Sequence, residues 1–179
     1  MGAVFGFGGR CRLLLERETL LGPGQTAGWL MCNPSTADST SDDPTLRRVR
    51  HFSTRHGCDR VLVGNVWAWC ATQPADLWGA LPRGDYTPAM HSANLDALAA
   101  IGAQCDVLFV AFGAEPWRQH RRAVLEALRA LWSAAPDWVV PVCLGMTRDG
   151  APLHPLARGK LAVRNDAASF DWPGAIYAA

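Results

Sequence analysis

The sequence predicts an α/β domain: a mostly parallel sheet with helices on both faces. Short, continuous apolar runs alternate with segments whose apolar residues recur at helical spacing. Four of these runs, 27–32, 61–67, 106–112 and 138–144, have the length of buried strands and are too short for helices. Three of them run directly into Asn33-Pro34, Gly113 or Gly145, and the other contains Gly64 and Asn65, so each carries residues suited to ending a strand.

The elements follow in order. Residues 11–16 read as an opening strand, a candidate antiparallel edge, closed by Gly22-Pro23-Gly24. The run 27–32 reads as a buried central strand bounded by Asn33-Pro34-Ser35, and a polar stretch continues to Asp43. Pro44 suits the first turn of a helix with Asp42 or Asp43 as its N-cap, running to about Arg55 and stopping at Gly57. After the strand 61–67, residues 77–88 read as loop-rich because Pro82 and Gly84 mark turns. Residues 90–103 have helical spacing, and 106–112 form the third apolar strand. Pro116 opens one long helix through Trp132, with Leu125, Leu128 and Leu131 on or near one stripe. The strand 138–144 follows, and the remainder, including 150–158, reads as irregular. With no repeat, low-complexity tract or linker, residues 1–179 are expected to form one domain, a central four-stranded sheet in three α/β/α layers.

Composition narrows the function classes. The chain is 49% hydrophobic and 18% charged, which excludes disorder and predicts a sizeable core. Seventeen basic against sixteen acidic side chains give a formal charge of +1, so any nucleic-acid contact must come from a local patch. No apolar run approaches the ~20 residues that cross a bilayer. The first ten residues are too short and glycine-rich for a signal peptide, so a cytoplasmic protein without membrane contact is expected. The six cysteines form no C-x-x-C pair and no zinc spacing, and they read as buried thiols with no metal or cofactor expected.

In parallel sheets the site lies beyond the carboxyl ends of the strands. The segment after the first central strand offers Asn33, Ser35, Thr36, Asp38 and Asp43. Its backbone donors suit an anion, its carboxylates suit acid/base work or a divalent cation, and turns and caps favour the same residue types. Asn33 stands apart, because an asparagine that ends a buried strand needs a partner. The following helix presents Arg47 and Arg48, suited to phosphate. The second run offers Asn65 and Trp67 toward its end, the third ends at Gly113, and the loop after the fourth carries His154 between prolines, a stiff mount for an imidazole.

The string Met31-Cys32-Asn33-Pro34-Ser35-Thr36-Ala37-Asp38, followed by Asp42-Asp43-Pro44-Thr45-Leu46-Arg47-Arg48, resembles the signature of a bacterial family catalogued as domain of unknown function 1643. Val63-Gly64-Asn65-Val66-Trp67, Asn94, Phe112-Gly113-Ala114 and the stretch 144–156 extend the likeness over roughly residues 10–158. More distantly, the motif order resembles the uracil-DNA glycosylase superfamily, whose fold is a four-stranded parallel α/β/α sandwich. Asn33-Pro34 is similar to its water-positioning motif, Asn65 to its base-reading asparagine, and His154-Pro155 to its His-Pro-Ser motif, with Leu156 at the serine position. That resemblance implies an enzyme acting on a nucleobase or nucleotide and hydrolysing an N-glycosidic bond. Asn33 would orient water, His154 would stabilise the leaving base and Asn65 would read it; the same hypothesis, from the residues themselves, has Trp67 or Trp69 stack on the base and Arg47 and Arg48 hold phosphate. Two other readings fit the same residues: a non-catalytic module binding a nucleotide, nucleobase or nucleic acid, and a hydrolase using Asp38, Asp42 and Asp43 with a divalent cation. Ser35 as a nucleophile lacks the Gly-x-Ser-x-Gly elbow and ranks last.

Overall fold

A computed structural model describes residues 2–19, 24–35, 42–71 and 74–178. Among them one sheet of seven strands is flanked by five α-helices. In chain order these are β1 (Gly2–Gly6), β2 (Cys11–Glu18), β3 (Gln25–Met31), α1 (Pro44–Arg55), β4 (Cys58–Asn65), α2 (Pro74–Arg83), α3 (Pro88–Gly102), β5 (Val107–Val110), α4 (Ala114–Gln119), α5 (Arg121–Trp132), β6 (Pro141–Cys143) and β7 (Phe170–Asp171). The order across the sheet is β1-β2-β4-β3-β5-β6-β7. β4, β3, β5 and β6 run parallel to one another, and β1, β2 and β7 pair antiparallel with their neighbours.

The four expected apolar runs are therefore the parallel strands, but the sheet is wider than expected. Residues 11–16 are not its edge, because β1 covers them in a hairpin whose turn is made by Phe7, Gly8 and Gly9, all at positive φ. The glycines that make the first ten residues unlike a signal peptide supply that turn. Residues 77–88 are also not a loop throughout. α2 buries Leu77 and Ala80 and carries Pro82 in its last turn, where Gly84 ends the chain's helical course. The long helix expected from Pro116 is two helices. The backbone breaks at His120 (φ −132, ψ 35), whose ring stacks on Trp78 at 4.7 Å between centroids.

Strand alternation sorts the core into two faces. Ala27, Trp29 and Met31 of β3, with Val61 and Val63 of β4 and Phe109 of β5, pack against Leu46, Val49 and Phe52 of α1. Leu30, Leu62, Leu108 and Val110 point the other way, onto Leu98 and Ile101 of α3 and Leu128 and Leu131 of α5. α1 forms here because Asp43 caps it, accepting from the Leu46 N–H at 2.7 Å, with Pro44 at its first position and a buried residue every third place. Each fully buried large apolar side chain contributes about 1.5–3 kcal/mol. All six cysteines are free, and burial pushes the thiols of Cys58, Cys105 and Cys143 up to about 11. No helix among the described residues is long and apolar enough to cross a membrane.

The α3–α5 contact is close enough to test. A Cβ at Gly102 would lie 1.8 Å from the carbonyl oxygen of Leu131. Gly102→Ala is expected to force the helices apart at about 2–3 kcal/mol. Thermal unfolding should show Tm roughly 5–10 °C lower, and an unchanged Tm would contradict the contact.

Candidate functional site

Asn33 follows β3 and Asn65 ends the adjacent parallel β4, in register with Met31. The pairing continues past the strands, with Val66 N–H donating to Met31 O at 2.9 Å and Trp67 N–H to Cys32 O at 3.1 Å. The two asparagines are thus placed side by side by the sheet itself. Asn33 donates its amide hydrogens to Pro34 O and Ala71 O, both at 3.1 Å. Because both partners are carbonyls, the orientation of the amide is fixed and Oδ1 is left as a pure acceptor. Asn65 is 1% exposed, and its Nδ2 has no hydrogen-bond partner among the described residues. A buried amide in that state costs about 1–3 kcal/mol unless something occupies the hollow beside it.

His154 enters from the loop after β6. Its Nδ1 accepts the Leu156 N–H at 3.1 Å, which assigns the ring proton to Nε2. Burial lowers the pKa of this imidazole below the usual 6.5, while the negative charge of Asp43 pulls the other way. A neutral ring that carries its proton on Nε2 is the result. Asp43 spends one oxygen on its capping bond and accepts the Ser35 hydroxyl on the other at 2.8 Å.

Asn33, Asn65, His154, Ser35 and Asp43 line one polar chamber of about 120 Å³. A second cleft of about 310 Å³ adjoins it, and Asn33 and His154 border both. Gly113 lines this second cleft at φ 87, and a Cβ there would face the Cβ of His154 at 3.9 Å. The positive φ lets the chain turn from β5 into α4 under the imidazole.

Other sequence candidates fall elsewhere. Thr36 and Asp38 lie outside the described residues. Trp67 is 3% exposed in the core, edge-on to Trp78 and His120, and borders neither hollow; Trp78 borders the cleft instead. Arg48 donates to the carbonyls of Pro155 and Val163 and to Asn165, fastening the C-terminal segment onto α1. Arg47 is exposed and donates to Asp42 O at 2.8 Å. Asp42 gives both carboxylate oxygens to arginines, Arg17 and Arg50.

Sequence reasoning gives no role to Arg12, Trp78, Phe112 or Glu115. Arg12 of β2 is 4% exposed and lines the chamber. Burial lowers its proton affinity, and the nearby Cys70 and Asp43 oppose that shift. The signal was available: an arginine flanked by Cys11 and Leu13-Leu14-Leu15 is expensive to bury without a purpose. Trp78, Phe112 and Glu115 line the cleft, and nothing in their local sequence marks them.

The model of the family described as "Protein of unknown function (DUF1643)" matches residues 12–156. The chain belongs to that family. The match begins at the chamber's arginine and extends two residues past its histidine, so the DUF1643 region contains Arg12, Asn33, Asn65 and His154. No curated protein and no solved structure matches the DUF1643 chain.

Proposed function

We propose that the protein hydrolyses an N-glycosidic bond in a nucleobase-bearing substrate. The observation that carries this reading is the meeting of three polar groups of defined hydrogen-bonding sense around one hollow: the Asn33 acceptor, the unsatisfied Asn65 amide and the neutral His154 donor. The base lodges in the chamber, where the Asn65 amide offers a donor and an acceptor to its edge and the Arg12 guanidinium forms part of the wall. Asn33 Oδ1 accepts a hydrogen from water and aims its lone pair at the anomeric carbon. As the carbon–oxygen bond forms, the carbon–nitrogen bond breaks and its electron pair passes to the base. His154 Nε2–H stabilises that charge, and the proton lost by water ends on the departing base. The parallel β4-β3-β5-β6 core supports the likeness to the uracil-DNA glycosylase superfamily. Leu156, which stands at the superfamily's serine position, supplies the backbone donor that sets the histidine's tautomer.

Base release, read by mass, from nucleosides, nucleotides and uracil-containing or damaged oligonucleotides tests the proposal. Asn33→Ala is expected to lower release about 100-fold without unfolding the protein. Saturable binding with no free base from any substrate would replace the enzyme with a binding module.

A further inference from the structure

We infer that the sugar end of the ligand is uncharged, so that the substrate is a free nucleoside rather than a nucleotide or a nucleic-acid strand. This inference rests on the glycosidic reading above. Among the described residues the chamber is lined at its inner end by buried side chains such as Val49, Val63 and Asn65, so it receives one end of the ligand, and whether the remainder is a nucleoside or a strand is decided by the charge of the adjoining cleft. With the base inside and the scissile bond at Asn33 and His154, the sugar passes into the adjoining cleft, which those two residues also border. The walls there include Cys32, Trp78, Phe112 and Pro116, and among the described residues the single charged side chain on the lining is Glu115.

Glu115 is exposed at the start of α4. Burial, together with the charge of Glu115, pushes the neighbouring Cys32 thiol up to about 12, so the cysteine contributes no charge of its own near neutral pH. Sugar hydroxyls can donate to the Glu115 carboxylate, whereas a phosphate placed there meets like charge. Of the cations nearby, Arg12 lines the chamber on the base side, Arg118 of the same helix is paired with Asp149, and Arg48 and Arg158 border a different surface hollow, with Arg48 committed to the carbonyls of Pro155 and Val163.

The test compares nucleosides, their 5′-monophosphates and a short oligonucleotide, by base release and by equilibrium binding to the same full-length protein. Nucleosides are expected to exceed monophosphates by at least about tenfold in kcat/KM and in affinity. Glu115→Gln should narrow that ratio several-fold, and added salt should narrow it in the wild type. A preference for the monophosphate or the oligonucleotide, or a ratio indifferent to Glu115→Gln, would overturn the inference. If no ligand releases base, the glycosidic reading fails on its own, and the binding arm still decides this one. Tighter binding of nucleosides supports it, while equal, reversed or absent binding refutes it.

Discussion

His154→Ala is expected to reduce base release by about 10²–10³-fold, with the fold retained. The imidazole borders both hollows and, with Nδ1 taken by the Leu156 N–H, carries its N–H donor on Nε2. It is also the group whose charge state the surrounding chain controls. The Leu156 N–H occupies Nδ1, so adding a proton there would set two donors against each other at 3.1 Å. Burial acts in the same direction, and the folded pKa lies below the ordinary 6.5. The rate should therefore be flat from neutral pH upward until another group titrates. It should fall only on the acid side, as pH drops through the depressed pKa. The linked effect on stability has the same sign. Below about pH 6.5 the unfolded chain takes up the proton first, and the wild type loses stability as pH falls further. His154→Ala should abolish that part of the slope. A rate that rises with acid, or a loss under threefold in the variant, would remove the neutral-donor role.

The legible parts of this chain are those governed by local chemistry. Asp43-Pro44 announces α1 because capping and proline placement act within one turn, and the helix begins where that pair puts it. Asn33 and Asn65 are readable as neighbours because parallel strands bring successive strand ends together, and the sheet pairs β3 with β4. What is not readable depends on distant partners. Arg48 has the sequence context of a phosphate ligand, yet its guanidinium is taken by residues more than a hundred positions away. Trp67 and Trp78 are equally aromatic in sequence. Trp67 turns inward from the end of β4 and Trp78 borders the cleft, a difference set by which face of each element is covered. The break at His120 is of the same kind, since helical periodicity carries through it while the ring stacks on Trp78.

The acidic run before α1 poses the remaining question of chemistry against architecture, and Asp42→Ala should answer it with a loss of about 3–5 kcal/mol. Asp42 accepts Arg17 Nε at 2.8 Å on one oxygen and Arg50 Nη1 at 2.7 Å on the other. Arg17 is fully buried in β2, so the pair joins the start of α1 to the sheet from inside. Removing the carboxylate leaves a buried cation with one counter-charge fewer, which costs more than an exposed ion pair contributes. Tm should fall by roughly 10 °C. Asp42→Asn should retain the shape and still lose most of that stability, because the charge is what compensates Arg17. Burial raises the pKa of Asp42, but the hydrogen bonds and charges of Arg50 and Arg17 outweigh it, and the net shift is below the usual 3.8. The stabilisation is therefore complete above about pH 4 and disappears as pH falls through the depressed folded pKa, so mutant and wild type should converge in acid. Asp42→Asn with wild-type Tm, and with activity that is lost and then restored by excess divalent cation, would move this carboxylate from scaffold to metal chemistry.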